Sequence, residues 1–221
     1  MITFYENAPN FELKAEVQPH IELYLAEVRK LLPELPDDIH IWLDNQNLIA
    51  ETGEGGFAYA PDVINISFEP RFKDKKAQLE SLRGTIFHEA FHLVQGHTFE
   101  KPKAQYETLL DSAIYEGCAT VFEREYAGTK PLWGEYQQHE SSVLAGWRKQ
   151  MRSITLNEYM DEKSGIYPKW AYFDEESGER WRLYKAGTWI VDEALKSSRL
   201  DILELRTEIA QAILAMVDFS D

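Results

Sequence analysis

The chain has 221 residues, of which 44% are hydrophobic, and its formal net charge at pH 7 is −15. This length and hydrophobic content predict one domain, residues 1–221, with a sizeable core. The negative charge argues against nucleic acid and against an anionic membrane surface as partners, because binding phosphate groups requires clustered lysine and arginine side chains.

The composition also predicts a compartment. Cys118 is the single cysteine, so no disulfide can form within the chain, which fits a reducing environment. The first residues lack the basic end and the apolar run of a signal peptide, and no apolar stretch approaches the length of a membrane span. We therefore expect a cytoplasmic protein that does not span a membrane.

The first third of the chain predicts a small sheet and one helix. A helix is expected over 18–32, where apolar residues share one stripe, Pro19 fits the first turn and Pro33 follows the end. A glycine-rich turn is expected at 52–56. Strands are predicted at four places, of which the last two form a hairpin through Ala60-Pro61-Asp62: 2–5, 39–43, 57–60 and 63–68.

The rest of the chain predicts mainly helices. Gly96 is a suitable stop for the first of them, and 161–180 is predicted to be a long loop that is too apolar for a linker. Because no alternation of strands and helices supports a parallel doubly wound sheet, we expect an α+β fold with a small antiparallel or mixed sheet and a mainly helical body. The helices are expected at about 76–95, 106–126, 135–152, 181–196 and 201–217.

The helix over 76–95 contains the pattern H-E-x-x-H, as HEAFH at residues 88–92. Residues four apart lie on the same helix face, so His88 and His92 present two imidazoles that one Zn²⁺ can bridge. Glu89 flanks the same point, where a general base takes a proton from water. A lone charge inside an apolar run is costly unless it has a task or a partner. The alternative is an ordinary amphipathic helix that happens to carry two histidines.

A catalytic zinc site needs a third protein ligand and one open position. In one known pattern, H-E-x-x-H-x-x-G-x-x-H, the third ligand is a histidine just downstream. Here Gln95 and Thr98 occupy the places of the glycine and of that histidine, so the pattern is not met. His97, one residue away, stays an alternative ligand.

The next predicted helix offers a glutamate instead. Glu116 lies among small and apolar residues, and a carboxylate buried between helices needs a cation. Gly117 is unfavourable inside a helix and therefore predicts close packing at this level. We take Glu116 as the leading third ligand, with Asp111 and Glu123 as alternatives. Glu123 lies two turns further along the same face and could instead support a ligand. A solvated Glu116 without a metal would be the structural alternative.

Three segments now resemble a known family: TIFHEAFH at 85–92, LLDSAIYEGCA at 109–119, and YPKW at 167–170 with YKAGTWIVDEAL at 184–195. They resemble the zincin metallopeptidases whose third ligand is a glutamate (gluzincins), and more narrowly the predicted zinc-dependent proteases of the DUF2268 family. The resemblance implies a zincin-like fold, His88, His92 and Glu116 as zinc ligands, and Glu89 as the base.

The resemblance also implies that the hairpin 57–68 lies beside the cleft, where its edge strand would pair with an extended peptide. One position departs from the pattern of thermolysin-like enzymes. These have an aspartate four residues after the glutamate ligand, where this chain has Thr120. The residue that orients the two histidines is therefore unassigned at this point.

Zincins usually add a Tyr, His or Arg that donates a hydrogen bond to the oxyanion. Tyr184 is our candidate and His139 the second, although the helix face of each also suits a core residue. The aromatic residues of the segment 161–180 would wall a substrate pocket or cap the core: Tyr167, Trp170, Tyr172 and Phe173.

The leading prediction is a soluble zinc metallopeptidase that acts on peptide or protein substrates. One alternative is a zincin-fold regulatory protein that binds a metal or a partner without turnover, although such a protein has no need of Glu89. The other alternative is a structural helix pair without a metal.

Overall fold

The computed structural model describes residues 1–6, 13–104, 106–217 and 219. The chain divides into two compact units, the first comprising Met1–Ala104 with Phe122–Lys130 and the second comprising Gln105–Val121 with Pro131–Asp221. That the whole chain is a single zincin-like domain stays a prediction.

A mixed four-stranded sheet forms part of the first unit, in the order β1-β2-β4-β3. The first three of these strands are parallel, and β3 runs antiparallel to β4, which confirms the predicted hairpin. The strands are β1 (Ile2–Glu6), β2 (Ile39–Asp44), β3 (Glu54–Ala60) and β4 (Val63–Phe68).

The strand β3 begins earlier than predicted, so Gly55 and Gly56 lie within it and not in a turn. The reason is a close approach to the next helix. A Cβ atom added at Gly56 would lie 2.6 Å from the Thr85 Cγ2 atom, so glycine lets the strand run directly beside that helix.

Two long helices accompany this sheet in the first unit, α1 (Leu13–Leu31) and α2 (Lys75–Gln95). The stripe predicted for α1 is confirmed, because Ile21, Leu25 and Val28 are fully buried. The helix starts earlier than predicted, so Pro19 lies inside it. Proline removes one backbone hydrogen bond, but its fixed φ is compatible with the helix.

The ends of α2 are set by local capping. The Asp74 side chain accepts a hydrogen bond of 3.0 Å from the Ala77 N–H. Gly96 adopts a left-handed φ of 72°, and its N–H bonds to the carbonyls of His92 and Leu93. This confirms the predicted stop, since glycine enters that conformation without a steric penalty.

The second unit contains most of α3 (Leu109–Phe122), which begins later than the predicted residue 106. The Asp111 carboxylate explains the difference, because it accepts hydrogen bonds of 2.9 Å from the N–H groups of Glu107 and Thr108. These contacts hold the preceding backbone outside the helix. At the other end the chain continues from Phe122 into a single π-helical segment, Glu123–Ala127, which we call the π-turn.

The other predicted helices are more divided in the structure. The helix predicted at 135–152 begins only at Ser141, and the segment 161–180 is not a loop, since it holds a helix and a short hairpin. The predicted helix 201–217 is interrupted at residues 206–209. The Asp201 capping box starts a short 3₁₀ segment, and the extended backbone of Ile209 precedes a second short helix. The elements are a 3₁₀ turn (Leu132–Gly134), α4 (Ser141–Arg152), α5 (Leu156–Met160), α6 (Ile166–Ala171), β5 (Phe173–Asp174), β6 (Glu179–Arg180), α7 (Arg182–Ser198), a 3₁₀ turn (Ile202–Leu205) and α8 (Ala210–Leu214).

The close packing predicted at Gly117 occurs against α7. A Cβ atom added at Gly117 would lie 2.3 Å from the Gly187 carbonyl carbon, and one added at Gly187 would lie 1.8 Å from the Ala113 carbonyl oxygen. The two glycines therefore allow the backbones of α3 and α7 to touch.

The predicted α+β class is confirmed by the mixed N-terminal sheet and the helical remainder. Within the described residues, no helix combines the length and the apolar character needed to cross a membrane.

Candidate metal centre

The two motif histidines are buried side by side on α2. His88 is 5% exposed and His92 is 4% exposed, and their ring centroids lie 4.8 Å apart with an interplanar angle of 79°. Glu89, between them in the sequence, is also buried, with 6% exposure. Three polar side chains in one buried helical stretch are costly unless they have partners or a ligand.

Each histidine has an oxygen beside its Nδ1 atom. The His88 Nδ1 lies 3.3 Å from the Glu123 Oε2, and the His92 Nδ1 lies 3.4 Å from the Gln95 Oε1. These contacts are hydrogen bonds when Nδ1 carries the proton, which leaves the lone pair of Nε2 on each ring to bind a metal.

Among the described residues, His88, His92 and Glu116 form a candidate group that could hold a metal ion. One ligand atom from each residue lies within 4.8 Å of the other two. Two imidazoles and one carboxylate form a donor set of the kind that catalytic zinc uses, with a further position left for water or substrate. The side chains therefore fit the metal that the sequence predicted.

The residues considered as alternative third ligands make other contacts or lie outside the group. Asp111 caps the start of α3 and also accepts a hydrogen bond of 3.0 Å from the Gln211 side chain. The His97 ring lies 4.8 Å from the His92 ring, but His97 is outside the group of three found among the described residues. Glu123 contacts His88, as described above.

Tyr184 lies on α7 within the electrostatic reach of Glu116. Burial raises the pKa of the Tyr184 hydroxyl well above its ordinary value, and the charge of Glu116 raises it further. The same two causes raise the pKa of Tyr159 and of Tyr167, together with neighbouring tyrosines. These phenols therefore stay protonated at neutral pH and keep an O–H that can donate a hydrogen bond.

His139, the second candidate for this donor, has a partner at each ring nitrogen. Its Nε2 lies 3.0 Å from the Glu179 Oε2 and its Nδ1 lies 3.3 Å from the Tyr136 carbonyl oxygen. Both nitrogens are therefore occupied within the second unit, which supports a structural role for this residue.

The aromatic residues of 161–180 do not share one role. Trp170 is 5% exposed, and the Arg182 guanidinium lies 4.3 Å from its ring centroid, so it closes the core. Tyr172 and Phe173 are about half exposed. The hydroxyls of Tyr167 and Tyr172 lie 3.4 Å apart.

The strand β3 lies at the edge of its sheet, as expected for the hairpin. Part of that edge is already paired, because the Ala58 carbonyl accepts a hydrogen bond of 3.0 Å from the Phe99 N–H and the Tyr59 carbonyl accepts one from the Glu100 N–H. The Glu54 carbonyl also accepts a hydrogen bond of 3.0 Å from the Ile49 N–H, so an added peptide strand would pair with the residues between Glu54 and Ala58.

Sequence reasoning missed Glu54 as a buried charged residue. Its side chain is fully buried and accepts hydrogen bonds of 2.6 Å from the Ser81 hydroxyl and 2.7 Å from the Thr85 hydroxyl. Burial raises the pKa of Glu54 to about 7, although the two hydroxyls partly oppose the shift. The glycine pair that follows Glu54 indicated a turn, and no other signal in the sequence marks it.

Comparison with known proteins adds one match. Residues 17–215 match the family DUF2268, described as "Predicted Zn-dependent protease". A comparison with curated proteins finds no match. The matched range includes the whole of α2, α3 and α7, and it confirms the resemblance that the three sequence segments indicated.

Proposed function

This chain belongs to the DUF2268 family of predicted Zn-dependent proteases, and we propose that it is an active zinc metallopeptidase with Glu89 as its general base. The observation that carries the proposal is the group of His88, His92 and Glu116, whose ligand atoms lie within 4.8 Å of one another. The buried Glu89, next to His88 in the sequence, supports an enzyme over a protein that only binds metal.

His88, His92 and Glu116 would hold the zinc. When bound, zinc lowers the pKa of water and polarises a carbonyl group. The hydrogen bonds at the two Nδ1 atoms fix the imidazole rings, so that little orientational freedom is lost on binding.

Glu89 would accept the proton of the attacking water and pass it to the leaving amine. Its position next to His88 and its burial keep bulk water from competing for that proton. Tyr184 would donate its O–H to the oxyanion that forms at the scissile carbonyl, because its raised pKa keeps the proton on the phenol.

The proposed substrates are peptides or proteins. An extended peptide would add to the edge of β3 at Gly55–Phe57, between the Glu54 carbonyl, which accepts a hydrogen bond from the Ile49 N–H, and the part of the edge that residues 99 and 100 already pair. The net charge of −15 gives no basis for nucleic acid or anionic membranes as partners. A cytoplasmic location remains part of the proposal, since it rests on the single cysteine.

The decisive experiment combines a zinc measurement with cleavage of a peptide library. The wild type should bind about one zinc per chain and cleave peptides. Glu89→Gln should bind zinc equally well but lose activity by roughly 10²–10⁴-fold, because the amide cannot accept the proton. The control is Glu80→Gln on the same helix, where the side chain is 65% exposed, and it should behave as the wild type.

Three results would contradict the proposal. Absence of zinc after its addition would remove the metal centre. Zinc binding without cleavage of any peptide would favour a metal-binding protein without turnover. Equal activity of the wild type and Glu89→Gln would show that the proposed base is wrong.

A further inference from the structure

A buried carboxylate distant in the sequence contacts the ring of His88. We infer that this residue, Glu123, is the positioning residue for His88. The inference rests on the proposed zinc centre, and both residues belong to the first unit. Glu123 positions the ring by holding the proton of the imidazole on Nδ1, so that Nε2 is presented to the metal.

The contact itself is within hydrogen-bond distance and is protected from solvent. The Glu123 Oε2 lies 3.3 Å from the His88 Nδ1, and the two side chains are 2% and 6% exposed. A carboxylate oxygen accepts a hydrogen bond, and the imidazole N–H is the donor in this contact when Nδ1 carries the proton. In this low-dielectric setting a charged acceptor holds the ring more firmly than a neutral one. The corresponding partner of His92 is the neutral amide of Gln95.

Both oxygens of Glu123 are used. The second oxygen, Oε1, accepts a hydrogen bond of 2.9 Å from the Thr129 hydroxyl. It also lies where a side chain at Gly84 would be, since an added Cβ there would be 2.4 Å from Oε1. Glycine inside a helix costs about 1 kcal/mol relative to alanine. Its presence one turn before His88 is explained by the room that the Glu123 carboxylate needs.

The π-turn brings this carboxylate to α2. Phe122, just before Glu123, stacks on Phe87 and Phe91 of α2 with centroid distances of 5.7 and 4.7 Å. At the other end of the π-turn, the Arg83 guanidinium donates a hydrogen bond to the Ala127 carbonyl. The π-turn is therefore attached to α2 on both sides of Glu123. Single π-helical turns occur frequently at functional sites, and here the turn places an acid beside a ligand.

The position four residues after Glu116 does not provide this carboxylate. Thr120 is fully buried, and its Cγ2 would lie 2.4 Å from a Cβ atom added at Gly134, so it packs within the second unit. Glu123, seven residues after Glu116 and in the π-turn, provides the acceptor in its place.

The test compares three variants in metal affinity. Glu123→Gln keeps the size of the side chain and removes its charge, whereas Glu123→Ala removes the acceptor. Glu125→Gln is the control on the same π-turn, where the side chain is 39% exposed and pairs with Arg124. Competition with a chromophoric chelator should show zinc binding weaker by about 10–100-fold for both Glu123 variants. The control should bind zinc as the wild type does.

A second measurement needs no metal and no activity. Nitrogen-15 spectra of the imidazoles in the metal-free protein distinguish the two tautomers of His88. The wild type should show the proton on Nδ1, and Glu123→Ala should lose that preference. Circular dichroism establishes whether each variant is folded. If Glu123→Ala unfolds, Glu123→Gln carries the comparison, and the wild-type tautomer still tests the inference.

These outcomes separate the inference from the proposed function. A wild type that binds no zinc would end the proposed function, while the tautomer of His88 would still decide the role of Glu123. A wild type that binds zinc and cleaves peptides, with Glu123 variants of unchanged affinity and tautomer, would overturn the inference alone. A wild-type His88 with its proton on Nε2 would also overturn it.

Discussion

The buried carboxylate of Glu54 predicts a measurable pH dependence of stability. Glu54 opens β3, is fully buried, and accepts hydrogen bonds from the hydroxyls of Ser81 and Thr85 on α2. Burial raises its pKa from the ordinary 4.5 to about 7. The folded protein therefore keeps Glu54 protonated at a pH where the unfolded chain ionises it.

The sign and the size of the effect follow from linkage. Below pH 4.5 Glu54 is protonated in both the folded and the unfolded protein, so its burial does not lower the free energy of unfolding. As pH rises from 4.5 to about 7, the unfolded chain releases the proton first, so the folded state becomes progressively less stable. At about 1.4 kcal/mol for each pH unit, the full loss above pH 7 is about 3 kcal/mol.

The substitution Glu54→Gln should remove this loss. The glutamine amide has nearly the same shape, and one hydroxyl can rotate to accept from its NH₂ group. Compared with the wild type, the variant should gain up to about 3 kcal/mol of unfolding free energy at pH 8 and almost none at pH 4.5. Urea unfolding at matched metal content measures this difference.

The comparison with wild type at each pH cancels the titration of other groups that the two proteins share. Glu80→Gln, with its exposed side chain on α2, is the control and should show no such pH-dependent gain. A Glu54→Gln variant that is equally stabilised at both pH values, or destabilised at pH 8, would refute the reasoning. The second result would mean that the two hydroxyls stabilise the ionised carboxylate more than burial opposes it.

Two further predictions concern the second unit. Gly187→Ala should lower the unfolding free energy by about 3 kcal/mol, because the added Cβ would lie 1.8 Å from the Ala113 carbonyl oxygen. Its control is Gly146→Ala, where nothing lies within 4 Å of the added Cβ, and urea unfolding should show an unchanged or slightly higher stability. Tyr184→Phe should lower kcat by about 10²–10³-fold with unchanged zinc affinity if its O–H stabilises the oxyanion. An unchanged kcat in the peptide assay would point to another donor, such as Tyr167.

The parts of the fold that the sequence predicted well are those with local signals. The helix α2 ends where Gly96 predicts its stop, and Gly96 caps the backbone in the structure. The hairpin of β3 and β4 follows from two strand patterns around Pro61-Asp62. The pair of histidines in HEAFH, at 88–92, requires only that the segment be helical.

The errors occurred where contacts distant in sequence, or short capping interactions, decide the structure. Gly56 was placed in a turn because its close approach to Thr85 cannot be recognised in one sequence. The segment 161–180 is predicted to be a loop, yet its Gly165 and Pro168 are compatible with the start of the short helix α6. The predicted helix 201–217 is too long because the backbone at Ile209 is extended, which separates the 3₁₀ turn at 202–205 from α8.

The role of Glu123 was open at the sequence level for a related reason. Its place on the face of Glu116 assumed a continuous α-helix, whereas the chain changes to a π-helix at Glu123. No simple sequence pattern specifies such a change. Gly84 was the available signal, because an interior helical glycine one turn before a metal ligand suggests that another group comes close.

The helix α2 shows why its polar residues are more informative than its apolar ones. Every residue from Gly84 to Leu93 is buried, so apolar periodicity cannot distinguish its faces. A buried polar side chain needs a partner, and the structure provides one for each of three positions: Thr85 donates to Glu54, His88 contacts Glu123, and His92 contacts Gln95. Two of these partners contact the Nδ1 sides of the imidazoles, which leaves both Nε2 atoms available to the proposed ion. In such a helix, polar residues that persist despite burial indicate the site.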